Sequence, residues 1–194
     1  MERNDPKLIR ARNELYAVRH LYINSISSHG MALSLETAAL IWVLCDDRHP
    51  KTILDLGSGY SSYVTRDWAK KTSYPTSTWS VDDDVSWLKQ SQLFCEQQGV
   101  DTSNFELWDS FKDKDMKFDV VVYDLGRMPT RFINVNRAIE FCGAGGVIIF
   151  DDMHKYNYGK EVQRILNERN LVGADMRSAT TDSHENRHCW IAMT

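Results

Sequence analysis

The residues best suited to chemistry are glycines and carboxylates standing at the ends of short apolar runs. Thr52-Ile53-Leu54-Asp55-Leu56 runs directly into Gly57-Ser58-Gly59, a turn that opens a helix and lets a ligand touch backbone. An acidic run, Asp82-Asp83-Asp84, ends a second apolar segment about twenty residues later, where a nucleotide-binding α/β unit places the acid that receives a ribose. The pair points to an adenosyl ligand. Asp109, Asp124 and Asp151-Asp152 close three further runs of the same kind. Any one of these acids alone reads as a helix cap or a solvated turn residue. Their shared position is what makes a site.

A dinucleotide site needs a third glycine, and Gly57-Ser58-Gly59 is followed by Tyr60-Ser61-Ser62 instead. A phosphate-binding P-loop is excluded, since no Gly-Lys-Ser/Thr follows the turn.

These residues need a scaffold, and the apolar periodicity supplies one. Residues 7 to 26 read as an amphipathic helix. Ser34 reads as the N-cap of a more buried helix through Leu44, ended near His49-Pro50. Strands and helices then alternate: a helix from Ser61 to Lys71, a strand from Thr78 to Val81, a helix from Val85 to Gln98 and a strand from Asn104 to Trp108. Phe118 to Tyr123 suits a central strand, followed by a helix from Arg131 to Phe141, a turn at Gly143 to Gly146 and a buried strand at Val147 to Phe150. A helix from Gly159 to Arg169 precedes two closing strands, Ala174 to Ala179 and Cys189 to Met193. The expected fold is α/β: a doubly wound, Rossmann-like seven-stranded sheet, mostly parallel with an antiparallel last strand, under an N-terminal helical cover.

With 194 residues, 42% of them hydrophobic, the chain suits one domain. Residues 1–47 would cover the ligand cleft and 48–194 would form the core. A net charge of -4 gives no footprint for nucleic acid, so a small-molecule partner is favoured. Met31 to Cys45 is too short to cross a bilayer, and the polar N-terminus is unlike a signal peptide, which implies no membrane partner and a cytoplasmic location. Cys45, Cys95, Cys142 and Cys189 are scattered and read as reduced, buried thiols. His184, His188 and Cys189 lack a nearby fourth partner for zinc. The oligomeric state is left open.

From about residue 34 to the end, the chain resembles the class I S-adenosylmethionine-dependent methyltransferases. Leu54-Asp55-Leu56-Gly57-Ser58-Gly59 is similar to their glycine-rich first motif, which implies contacts from Asp55, Gly57, Ser58 and Gly59 to the methionine part of the cofactor. Ser62, with Tyr60 and Ser61, opens the helix whose N-terminal amides favour the cofactor carboxylate. Asp82 resembles the acid that accepts both ribose hydroxyls, with Asp83 and Asp84 as competitors. Leu107-Trp108-Asp109-Ser110 is similar to the third motif: Asp109 would receive the adenine amino group, and Trp108 would either cover the ring or lie in the core.

The downstream acids resemble the metal-dependent small-molecule O-methyltransferases, which implies magnesium held by Asp124, Asp151 and Asp152, with Asp124 also near the cofactor. His154, three positions beyond Asp151, resembles the general base of macrolide-sugar O-methyltransferases. The implied function is O-methylation of a small molecule. Asp151-Asp152 could instead cap a helix, and Asp124 could orient a substrate with no metal. Metal-free N-methylation and a non-catalytic S-adenosylmethionine-binding module are the alternatives. Arg127 and Arg131, flanking the loop after the fourth strand, could contact an anionic substrate but read more simply as solvated, and His29 would face either the site or solvent.

Overall fold

The computed structural model describes every residue except Ser73. Two helices come first. Asp5 caps α1 (Pro6–Ser25) by accepting the Lys7 N–H at 2.8 Å, and Pro6 starts it without forfeiting a donor. Ser34 caps α2 (Leu35–Arg48) by accepting the Thr37 N–H at 3.0 Å; His49, in the left-handed region at φ 49°, ends it before Pro50.

The alternation follows as β1 (Thr52–Leu56), α3 (Tyr60–Lys71), β2 (Ser77–Asp82), α4 (Val85–Gln97), β3 (Phe105–Leu107), α5 (Trp108–Phe111), β4 (Phe118–Tyr123) and α6 (Met128–Phe141). The chain closes with β5 (Cys142–Phe150), α7 (Tyr156–Glu168), β6 (Gly173–Asp175), α8 (Arg177–Thr180) and β7 (Trp190–Met193). The seven strands lie in the order β3-β2-β1-β4-β5-β7-β6, with β7 antiparallel to both its neighbours. This is the expected mostly parallel sheet, and its order reverses between β1 and β4. Ligands collect at that switch point in open α/β sheets, beside the carboxyl ends of the strands.

Alternation along β4 feeds two apolar layers. Val120 and Val122 join Tyr22, Leu40, Val64 and Trp68 beneath α1 to α4, whereas Val121 and Tyr123 join Val135, Phe141, Val162 and Leu166 beneath α6 and α7. All four cysteines are buried and unpaired.

Several boundaries differ from expectation, α2 running on to Arg48 and α6 and α7 each starting three residues early, and three further differences have a visible cause. The glycines expected as a turn lie within β5, where Phe118 pairs with Cys142 but Val120 with Val147, so the intervening residues bulge; Gly145, at φ 76°, makes the bend. The strand expected from Ala174 to Ala179 stops at Asp175, whose carboxylate accepts the Arg177 N–H at 2.8 Å and starts α8. The third strand ends at Leu107, and Trp108 begins a helical turn.

Candidate functional site

Gly57 carries the chain away from β1 at φ 101° while its N–H donates to the Val81 carbonyl at 2.8 Å. A Cβ there would stand 2.3 Å from the Asp124 carbonyl oxygen, so no other residue fits between the ends of β1 and β4. The Asp124 N–H completes the junction by donating to the Leu56 carbonyl at 2.7 Å. Behind the turn, the fully buried Ser62 hydroxyl donates to Asp55 at 2.6 Å and accepts the Gly59 N–H at 3.2 Å. Burial pushes the Asp55 carboxyl up to about 7, against hydrogen bonds from the neighbouring serines.

Beyond the turn opens a cleft of about 490 Å³, within the range of small-molecule sites. Gly57 to Ser61, Asp82 to Asp84, Trp87, Asp124, Arg131 and, from the N-terminal region, Tyr22 and Met31 to Leu33 are among its walls. Asp82 accepts the Ser58 hydroxyl at 2.9 Å on one oxygen and the Asp84 N–H at 2.9 Å on the other. Burial pushes its carboxyl up to about 6, and those two hydrogen bonds oppose the shift. Asp84 caps α4 through the Ser86 and Trp87 N–H groups at 2.8 and 3.0 Å, and the Trp87 indole donates to the Ser58 carbonyl at 2.6 Å. Asp83 lies across the cleft against Gly126, where a Cβ would come within 2.4 Å of its carboxylate, and accepts the Thr130 hydroxyl at 3.3 Å.

The glycine turn and Asp82 thus share one cavity, and their chemistry fits an adenosyl cofactor. Backbone is exposed where a Cβ cannot stand, and a carboxylate with room for more donors faces the opening. Asp55 and Ser62 do not line that opening; they brace the turn from behind. Trp108 is not among the lining residues either. Because a helical turn starts at that position, its indole packs into the core, edge-on to Phe141 at 6.3 Å. Asp109 is 87% exposed and pairs with Lys112 at 2.7 Å.

The acids expected to hold magnesium are arranged differently. Arg131, on the first turns of α6, is only 8% exposed. Its Nη1 contacts Asp124 and donates to Asp152 at 2.7 Å, while its Nε donates to the Gly126 carbonyl at 3.2 Å. Lys155 adds a second cation on Asp152 at 2.5 Å. Asp151 is turned inward, 2% exposed, with the Thr37 hydroxyl 3.5 Å away. Burial pushes Asp151 up to about 6. At Asp152 burial acts in the same sense, but Arg131 and Lys155 outweigh it and hold the carboxyl below the usual range. Among the described residues, no group of three or more His, Cys, Asp or Glu is disposed to hold a metal ion. These residues do not fit magnesium, because two of the three carboxylates a hard cation would need, Asp124 and Asp152, already face positive side chains and the third, Asp151, is turned inward. The solvated reading of Arg131 is likewise overturned, while Arg127 is exposed.

His154 does not face the cleft. It lines a separate cavity of about 570 Å³ with Lys160, Arg177 and His188, and its Nδ1 is 3.7 Å from Asp152. Asp152, at φ 60°, turns the chain so that the imidazole leaves the rim. Burial lowers the basicity of the imidazole, with Asp152 opposing. His29 lies in a third cavity, its ring 4.5 Å from that of His184. Among the cleft residues missed from sequence are Tyr22, Ala32, Leu33, Trp87 and Thr130, which carry no chemical motif and arrive through tertiary packing.

No protein-family profile matches the chain, and no curated protein does. Solved structures do. The O-methyltransferase TomG from Streptomyces achromogenes, involved in tomaymycin synthesis and solved with S-adenosylmethionine, aligns over 100% of this chain and 92% of its own, at 15% identity and a TM-score of 0.65. An O-methyltransferase from Bacillus cereus in complex with S-adenosylhomocysteine aligns over 93% and 89%, at 14% identity and 0.67. A putative caffeoyl-CoA O-methyltransferase from Staphylococcus aureus aligns over 96% and 97%, at 12% identity and 0.66. The fold is that of the class I methyltransferases. Among the described residues, no helix is long and apolar enough to cross a membrane.

Proposed function

We propose that this chain is an S-adenosylmethionine-dependent methyltransferase acting on an oxygen of a small molecule, a single cytoplasmic domain in which residues 1–47 help to cover the cleft. The observation that carries the reading is the meeting of the Gly57-Ser58-Gly59 turn and Asp82 in one cleft at the switch point. The S-adenosylmethionine bound by TomG and the S-adenosylhomocysteine bound by the Bacillus cereus enzyme, on the same fold, support it.

In this reading Gly57 to Gly59 hold the methionine part through backbone groups, with Ser62 and Asp55 keeping the turn in shape. Asp82 accepts the ribose hydroxyls on the lone pairs left by Ser58 and Asp84. S-adenosylmethionine, when bound, supplies a methyl group on a sulfonium whose sulfur keeps the electron pair of the broken bond. Asp124, at the end of β4 on the opposite wall, orients the acceptor and takes its proton. Burial raises this carboxyl well above its ordinary value, against the pull of Arg131.

Titration calorimetry with S-adenosylhomocysteine tests the assignment. Saturable binding is expected, weakened about tenfold or more in Asp82→Ala. Unchanged affinity in that variant would remove Asp82 from the ribose site.

A further inference from the structure

The acceptor end of the cleft carries a charge pattern that methyl transfer as such does not require. Three carboxylates, Asp124, Asp151 and Asp152, stand at the ends of two adjacent strands, β4 and β5. Gathered without a counter-charge, they would repel one another and attract a hard divalent cation. The Arg131 guanidinium stands among them. Its Nη1 serves Asp124 and Asp152 together, its Nε is fixed by the Gly126 carbonyl at 3.2 Å, and the residue still lines the cleft. Its backbone is fixed as well, since the Tyr123 hydroxyl donates to the Arg131 carbonyl at 2.7 Å. A guanidinium is planar, keeps its charge throughout the working pH range and cannot be chelated away.

We propose that Arg131 is the resident cation of the acceptor site, occupying by covalent attachment the place that a divalent ion would otherwise take. Resting on the methyltransferase reading, the inference assigns Arg131 as a positioning residue. It fixes Asp124 beside the acceptor and presents the acceptor oxygen with positive charge from the protein itself. The price is exclusivity: with Nη1 on two of the acids and Lys155 on one of them, no oxygen cage remains for a metal.

Manganese(II) as a probe tests this without any turnover assay, because protein uptake removes the paramagnetic signal of the free aqueous ion. Full-length wild-type protein and Asp124→Asn are titrated in parallel. The proposal expects identical signals from the two at manganese concentrations up to about equimolar with protein. One ion taken up by wild type and not by Asp124→Asn would overturn it. The double variant Arg131→Met, Lys155→Met uncovers the acids. Provided that its melting transition remains cooperative, it is expected to bind manganese at least tenfold more tightly than wild type, and an unchanged affinity would contradict the proposal. S-adenosylhomocysteine calorimetry on the same wild-type sample separates the two ideas. Failure to bind it would remove the methyltransferase reading, whereas manganese uptake dependent on Asp124 would remove only the resident cation.

Discussion

Two ends of one cleft handle the same functional group in opposite ways. At the β1/β2 end, Asp82 is satisfied by neutral donors, the Ser58 hydroxyl and the Asp84 N–H, each at 2.9 Å. At the β4/β5 end, Asp124 and Asp152 are met by Arg131, and Asp152 by Lys155 as well. A carboxylate held by two neutral donors keeps acceptor capacity for a ligand hydroxyl. Two carboxylates held by a buried guanidinium and a lysine form a charge-paired unit that breaks at high cost. The first end is therefore built to receive a ligand, and the second to hold a fixed shape beside it.

That contrast breaks most visibly at Arg131. Arg131→Met strips Asp124 of its counter-charge and Asp152 of one of its two, and a loss of about 3–5 kcal/mol is expected in urea unfolding. A loss below about 1 kcal/mol would show that the pair is solvated and the end open. Gly57→Ala is expected to abolish S-adenosylhomocysteine binding in calorimetry, since its Cβ would force β1 and β4 apart at the Asp124 carbonyl. Retained binding would place the ligand elsewhere.

The ligand-receiving end should respond to pH in two opposite senses. Asp82 titrates near 6 when folded, above the ordinary carboxylate value near 4, so the native state holds this proton more tightly than the unfolded chain. Its contribution to the stability of the ligand-free protein thus rises as pH falls from above 6 towards 4. Ribose binding needs the ionised acceptor, so S-adenosylhomocysteine affinity should instead fall below pH 6, by up to about tenfold per pH unit. Calorimetry across pH 5 to 8 checks this, and a flat wild-type profile, or a fall that persists in Asp82→Asn, would break the link. The smallest effect belongs to His154→Ala, which lies in a different cavity and should leave cofactor affinity within about twofold of wild type.

Legibility in the sequence follows the range of the interactions. The glycine turn, Ser58, Asp82 and the α4 cap lie within two consecutive strand-to-helix connections, so apolar runs and turn residues reveal them. The parallel sheet follows from the same alternation, but its strand order does not, since more than one doubly wound order shares that alternation. The β5 bulge is harder to read, because four residues containing three glycines look like a turn until Thr194 and β4 are present to pair with them. Arg131 is harder still. An arginine at a helix start looks solvated, and only the return of β5 brings Asp152, distant in sequence, into its reach. The case of His154 runs the other way: its nearness to Asp151 in sequence is undone by the left-handed backbone of Asp152.

A crystal structure of the S-adenosylhomocysteine complex, grown with magnesium in the buffer, tests the central claim most directly. The account predicts the ribose hydroxyls on Asp82, the sulfur on the side of the cleft facing Asp124, and Arg131 still joining Asp124 to Asp152. A ligand away from Asp82, or an octahedral ion among Asp124, Asp151 and Asp152 with Arg131 displaced, would contradict it.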